Sequence, residues 1–268
     1  MTTACARPAQ ATAKGIARMI NLVLIGIGTG NPDHMTIQAQ KALNTADLVL
    51  IPHKGDDKAD LAELRHAICA TAIINPATRI TPFDLPVRDA ANPSYAKGVD
   101  DWHDAIAEVW LAAMAPLNGT GTVALLVWGD PSLYDSSLRI ADRLRPLIPL
   151  HVTVIPGITA LQVLTAAHAI PLNRINAPVL ITTGRRLRDE GFPQGVTRAA
   201  VFLDGECSFK TLDPTGLQIW WGAYLGMQNQ ILLSGPVAEV TEQIIATRAA
   251  ARAAHGWIMD LYLLDKQP

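Results

Sequence analysis

Ile20-Asn21-Leu22-Val23-Leu24-Ile25-Gly26-Ile27-Gly28-Thr29-Gly30-Asn31-Pro32-Asp33 is a run of branched apolar residues that breaks into a glycine-rich turn. A strand buried on both faces reads as such an unbroken run, without polar residues at every second position. The glycines that follow let the backbone turn tightly and come close to a ligand. Beyond them Met35, Ile37, Ala39, Ala42 and Leu43 keep a helical rhythm, and residues 46–52 (ADLVLIP) form a second strand closed by proline. Strand, glycine turn, helix and strand in this order open a parallel α/β sheet.

The same grammar continues outward from that unit. Residues 56–71 are charged and helical, and residues 81–94, with Pro, Asn and Asp, read as an extended loop. A helix is expected over 99–115, where Trp102, Ile106, Val109 and Trp110 stand at core spacing. Strand 122–128 stops at Gly129-Asp130-Pro131, helix 136–144 follows, and strand 151–155 ends at Pro156-Gly157 before a helix through Ala167. Parallel sheets bind ligands at the carboxyl ends of their strands, which places these loops at the expected site. From Ala177 the style changes: apolar runs at 179–183, 199–203, 217–224, 230–234 and 257–264, with one clear helix at 237–253, predict a second, mixed sheet. The expected division is a leader (1–18), an N-terminal domain (19–172) and a C-terminal domain (173–268).

Composition restricts the partners. Of the 268 residues 49% are hydrophobic and 17% charged, so large cores can be buried, and the formal net charge is −2. No global positive field is available to hold nucleic acid or an anionic membrane. The longest apolar run, near residues 123–128, is strand-sized and too short to cross a bilayer. Cys5, Cys69 and Cys207 are odd in number, far apart and in no C-x-x-C pair, which argues against a disulfide framework and a thiolate zinc site and fits the cytoplasm. Residues 1–18 carry Arg7, Lys14 and Arg18 but lack the apolar core of a secretory signal.

The first loop admits three readings, two of them of nucleotide type. A dinucleotide fingerprint needs a third glycine where Asn31 stands, and Asp47, which could pass for the ribose acid, precedes the second strand. A P-loop needs a Gly-Lys-Ser/Thr ending that is absent, and the bland alternative is a turn and nothing more. Two further strand-end loops share the character of the first: Trp128-Gly129-Asp130-Pro131-Ser132-Leu133-Tyr134 and Ile155-Pro156-Gly157-Ile158-Thr159-Ala160. The last continues through Ala166-Ala167-His168-Ala169-Ile170-Pro171-Leu172.

In this order and spacing the three loops resemble the signatures of the tetrapyrrole methylase family, the class III methyltransferases, over roughly residues 20–268. Residues 100–104 (DDWHD), 126–136 (LVWGDPSLYDS) and 178–187 (PVLITTGRRL) are similar to the branch that deacetylates a corrin precursor. Many family members have Pro where Thr29 stands and an acid where Asn31 stands. The resemblance implies a homodimer that binds S-adenosylmethionine, leaving S-adenosylhomocysteine, in a cleft between two α/β domains. It also implies methylation of precorrin-5 at C-1 with loss of the C-20 acetyl group as acetate, in aerobic cobalamin biosynthesis. Another tetrapyrrole C-methyltransferase is the alternative within the family. A nicotinamide oxidoreductase and a corrinoid-sequestering protein are the alternatives outside it.

Carried over residue by residue, Gly28 and Thr29 would border the cofactor and the substrate trough, and Gly129, Asp130 and Leu133 would line the cofactor. Thr159 and Ala160 would meet its amino-acid part, and Leu203 or Asp204 with Tyr224 or Leu225 would contact the adenosine. The bland reading of Asp130 is a turn or cap acid before Pro131. A polycarboxylate substrate calls for bidentate cations, for which Arg185 and Arg186 lead, with Arg188, Arg174, Arg79 and Arg88 behind them. Trp128, Tyr134, Trp220, Trp221 and Tyr224 are placed either to pack on a macrocycle or in a core. Asp130, Tyr134, Asp204 and Glu206 are the candidates for proton transfer in the deacetylation, with no metal required, and His53, His103 and His168 read as surface or packing histidines.

Overall fold

The computed structural model describes residues 18–53, 59–88 and 94–267. Two five-stranded sheets organise the chain. The first is built from β1 (Ile20–Gly26), α1 (Ile37–Thr45), β2 (Leu48–His53), α2 (Ala59–Ala72), β3 (Arg79–Asp84), α3 (Tyr95–Met114), β4 (Gly121–Val127), α4 (Ser137–Leu144) and β5 (Leu150–Ile155). Its order is β3-β2-β4-β1-β5 and every pairing is parallel. Leu22, Leu24, Leu48, Leu50 and Leu125 face α3 and α4, while Val23, Ile25, Val49 and Ile51 face α1 and α2. Cover on both faces is why these strands lack polar alternation.

After α5 (Ala160–Ala167) come β6 (Val179–Thr183), α6 (Gly184–Glu190), β7 (Arg198–Phe202), β8 (Leu217–Ala223), β9 (Ile231–Pro236), α7 (Val237–His255) and β10 (Asp260–Lys266). The second sheet runs β6-β7-β10-β8-β9, parallel between β6 and β7 and antiparallel elsewhere, as the mixed sheet expected. Trp221, Tyr224, Phe209 and Tyr262 fill the core beneath α7, each burial stabilising by roughly 1.5–3 kcal/mol. Leu161 and Leu164 of α5 cover the other face with Ala200, Leu261 and Leu263, so α5 packs on the second sheet although it follows the first.

One expectation needs correction. The stretch 81–94 is not all loop: its first residues complete β3, an edge strand with alternating exposure that carries Pro82. An edge position tolerates proline because one side of the strand donates no ladder bond. Arg185, Arg186 and Arg188 lie on α6, which Thr183 caps by accepting from the Arg186 N–H. Residues 1–17, with Cys5, and residues 56–58 of the predicted helix lie outside the described residues. Among the described residues no helix is long and apolar enough to cross a membrane.

Candidate functional site

Three loops meet at the carboxyl ends of β1, β4 and β5 because glycines let their backbones touch. Gly28 and Gly129 exchange antiparallel hydrogen bonds, with the Gly129 N–H donating at 2.7 Å and the Gly28 N–H at 3.4 Å. A methyl group on Gly157 would overlap the Gly129 carbonyl oxygen and lie 2.7 Å from the Gly26 Cα. Thr29 is buried, and its hydroxyl bonds the His34 ring at 3.0 Å.

These loops and the ends of the central strands of the second sheet enclose a largely apolar cavity of about 450 Å³, within the roughly 300–1,000 Å³ usual for small-molecule sites. Gly28, Thr29, Gly129, Asp130, Leu133, Thr159, Ala160, Leu203, Asp204, Tyr224 and Leu225, the residues expected to meet a cofactor, all border it. Three bordering residues, Tyr134, Leu203 and Tyr224, hold positive φ values of 50°, 53° and 49° without being glycine. Such conformations cost of order 1–3 kcal/mol each and gather where a ligand surface must be shaped. Leu203 is 69% exposed, an apolar side chain left open at the cleft. Thr159 and Ala160 at the start of α5 line the cavity, bringing the positive end of that helix to it, and the Thr159 N–H and hydroxyl both donate to the Gln162 side chain.

The candidate proton-transfer groups differ sharply in their surroundings. Asp204 is buried and accepts from the Glu206 N–H (3.0 Å), the Ser208 N–H (2.6 Å) and hydroxyl (2.9 Å), and the Tyr262 hydroxyl (2.5 Å). With four donors its carboxylate is a structural knot, poorly placed to take a further proton. Asp130 accepts from the Ser132 N–H and hydroxyl and from the Gly157 N–H, which is the turn role that its place before Pro131 suggests. Burial pushes its carboxyl up, but those hydrogen bonds outweigh it and hold the group below the usual carboxylate range. Glu206 does not border the cavity and pairs with Arg188 at 2.9 Å. Tyr134 borders it and packs against Phe202 at 5.2 Å between ring centres. Burial raises its pKa, the nearby Arg186 opposing, so the phenol stays a proton donor at neutral pH.

Arg185 and Arg186 stand outside the cavity lining on the exposed face of α6, where Arg186 is bound by Glu190 at 2.9 and 3.0 Å. Of the aromatic residues, Trp128 and Tyr134 face the cavity, whereas Trp221 and Tyr224 bury their rings in the core beneath α7. The Tyr224 hydroxyl donates to the carbonyls of Trp257 (2.6 Å) and Ala251 (3.2 Å), leaving its backbone at the cleft. Trp220 packs on the α5 side of the second sheet. His103 is buried beside Trp102, and His168 meets the Trp221 carbonyl, as packing histidines do.

One pair of bordering residues was not legible as functional. Arg248 and Asp260 form a buried ion pair at 2.9 Å, and Asp260 also accepts from the Trp221 indole N–H at 3.0 Å. The guanidinium further donates to the carbonyls of Asp204 (3.2 Å) and Gly205 (3.4 Å), fixing the loop that presents Leu203. Its only sequence signal is an arginine in an alanine-rich helix that propensity alone explains.

Comparison with known proteins agrees with this architecture. The family described as tetrapyrrole (corrin/porphyrin) methylases matches residues 21–241. A precorrin-6A synthase [deacetylating] of Sinorhizobium sp is 51% identical over 253 residues, 93% of this chain and 97% of the relative. The crystal structure of a cobalamin-synthesis-related protein (CobF) from Corynebacterium diphtheriae superposes with a TM-score of 0.80 at 39% identity, over 93% of this chain and 100% of that one. A uroporphyrin-III C-methyl transferase from Thermus thermophilus, complexed with S-adenyl homocysteine, shares the fold at 17% identity, with a TM-score of 0.56 over 91% of this chain and 97% of that chain. Three glycine-bearing loops clamped at one sheet end, a second mixed sheet closing over them, and these likenesses along nearly the whole length establish that the chain belongs to the tetrapyrrole methylase family.

Proposed function

We propose that this chain methylates C-1 of precorrin-5 with S-adenosylmethionine and releases the C-20 acetyl group as acetate, giving precorrin-6A. The observation that carries the reading is the 51% identity, spread over 93% of the chain, to a precorrin-6A synthase [deacetylating]. The cavity fits such a cofactor: its walls are mainly apolar, Gly28 and Gly129 line it without a side chain, and the N-terminus of α5 offers a carboxylate partner. S-adenosylmethionine supplies an electrophilic methyl carbon, so the protein has mainly to orient and to exclude water. Gly129, Leu133 and Leu203 form the walls that do so, while Asp130 and Arg248 hold those walls in place.

Release of acetate requires water to add to the acetyl carbonyl carbon as the bond to C-20 breaks, the bonding pair staying with the macrocycle. Tyr134 is best placed to donate a hydrogen bond to the carbonyl oxygen, since Asp130 and Asp204 are occupied by structural donors. In this reading residues 19–172 and 173–268 are the two domains after a leader over 1–18, and the protein is a cytoplasmic homodimer. Light scattering tests the dimer.

Incubation of the purified protein with precorrin-5 and S-adenosylmethionine tests the activity. Methyl gain with equimolar acetate is the expected result. Methyl gain without acetate would move the chain to another tetrapyrrole C-methylation, and no turnover would refute the reading.

A further inference from the structure

The main cavity has a neighbour. A second hollow of about 660 Å³ lies between the first loop, α2 and the turn that joins β8 to β9, with Asn31, Leu64, Ile68, Asn229 and Trp257 among its walls. The partition between the two is mostly main chain. Three segments cross it, and in each of them adjacent residues border opposite cavities: Thr29 and Gly30, Leu225 and Gly226, and Ile258 and Trp257. Among the described residues Met227 alone borders both.

Met227 is fixed in that position from two directions. Its N–H donates to the Tyr224 carbonyl at 2.9 Å, and the Gly226 N–H donates to the Gln230 side chain at 2.7 Å, which closes the turn that carries it. On the other side the thioether lies where Gly30 has no side chain: a methyl group there would overlap the Met227 Cε and stand 3.5 Å from its Sδ. Gly226 is closed by the first loop in the same way, since an added methyl would stand 2.5 Å from the His34 Cε1 and 2.8 Å from the Thr29 hydroxyl oxygen. The two loops interlock, a glycine of each against a side chain of the other. The Met227 side chain is thus a plug in a backbone wall, and a long unbranched thioether suits such an irregular gap.

The plug stands toward the part of the cavity expected to hold adenosine, two residues beyond Leu225 and away from Thr159 and Ala160, where the amino-acid half of the cofactor is expected. The outer end of adenosine is the adenine edge that carries the exocyclic amine. We infer that Met227 sets the size limit of the cofactor cavity at that edge: its thioether closes the way into the 660 Å³ hollow and so makes the site selective for an adenosine without a substituent on the amine. The inference rests on the cofactor reading above. With the plug in place an enlarged adenine meets a packed wall, and with the plug removed it meets volume already present.

The test is calorimetric titration with S-adenosylhomocysteine and with its N6-benzyl derivative. Wild type should bind the derivative about 10- to 100-fold more weakly than the parent. Met227→Ala should bind the two within about 10-fold of each other, the parent staying within about 10-fold of its wild-type affinity. A gained ligand is a result that general loosening of the loops would not produce. Wild type that binds both ligands alike overturns the inference, as does folded Met227→Ala that binds the parent and still rejects the derivative, or that has lost both. If Met227→Ala does not fold, Met227→Val, which also removes Sδ and Cε, carries the test. Wild type that binds neither ligand refutes the cofactor reading itself, and the size limit with it.

Discussion

The Asp130 carboxylate accepts the Gly157 N–H at 2.9 Å through one oxygen and the Ser132 N–H at 2.8 Å through the other. Asp130 follows β4 and Gly157 follows β5, so a single side chain sets the spacing of two loops around the cavity. Those hydrogen bonds, outweighing burial, hold its carboxyl below the usual range. An acid with a depressed folded pKa contributes stability that is present above the unfolded value, about 3.9, and is lost as pH falls through the folded one. Asp130→Asn should therefore cost about 1–2 kcal/mol at pH 7, and the gap from wild type should shrink below about pH 4. Urea unfolding at pH 7 and pH 3 measures both gaps, and equal gaps would show that ionisation has no part in the brace.

Gly157 has no room for a side chain, since an added methyl would overlap the Gly129 carbonyl oxygen and crowd Gly26. Gly157→Ala should cost about 1–3 kcal/mol by overpacking and should weaken S-adenosylhomocysteine binding more than its fall in stability explains. Gly195→Ala is the control: its Cβ would meet nothing within 4 Å, so the penalty there is confined to its positive φ. Thermal unfolding and calorimetry on the two variants separate loop geometry from generic strain.

The apolar runs of β1, β2 and β4 were legible because burial on both faces removes the polar alternation, and the glycine turns were legible because only glycine permits the close backbone approach at Gly26 and Gly157. Edge strand β3 was hidden by Pro82 and by an exposure pattern that resembles a loop. The roles of Asp204 and Arg248 were hidden for a different reason. Their partners, Tyr262 and Asp260, stand in another strand, and pairing across elements leaves no local pattern. Arg185 and Arg186 made a local cluster, yet the helix cap at Thr183 turns them onto a surface helix, outside the lining of the cavity.

Removing Arg248 leaves the Asp260 carboxylate buried with only the Trp221 indole as partner. Burial already raises the Asp260 pKa, Arg248 opposing, and Arg248→Met should raise it further. A group with a raised folded pKa contributes stability below its unfolded value that is lost as pH rises through the folded one. The variant should lose about 3–5 kcal/mol at pH 8, with a smaller deficit near pH 4, and Arg248→Met/Asp260→Asn should recover part of it at pH 8. Because the same guanidinium holds the Asp204 and Gly205 carbonyls, S-adenosylhomocysteine affinity should stay low in the double variant. Recovery of stability and affinity together would assign Arg248 to the core alone.

Tyr134 separates the two halves of the proposed reaction. The residue borders the cavity, its φ is 50°, and burial, opposed by Arg186, raises the pKa of its phenol, so it can donate to a carbonyl but does not accept a proton at neutral pH. Loss of one such donor typically slows acyl chemistry by about 10²-fold. Tyr134→Phe should therefore depress acetate release by about that factor while leaving S-adenosylhomocysteine formation within a few-fold, so that a methylated, still acetylated macrocycle accumulates. Mass spectrometry of the macrocycle at early times reads the difference directly. Equal slowing of both products would mean that Tyr134 orients the ring for methylation, and no slowing of either would return the search for the deacetylating group to Asp130, whose Asn variant is then followed by the same two products.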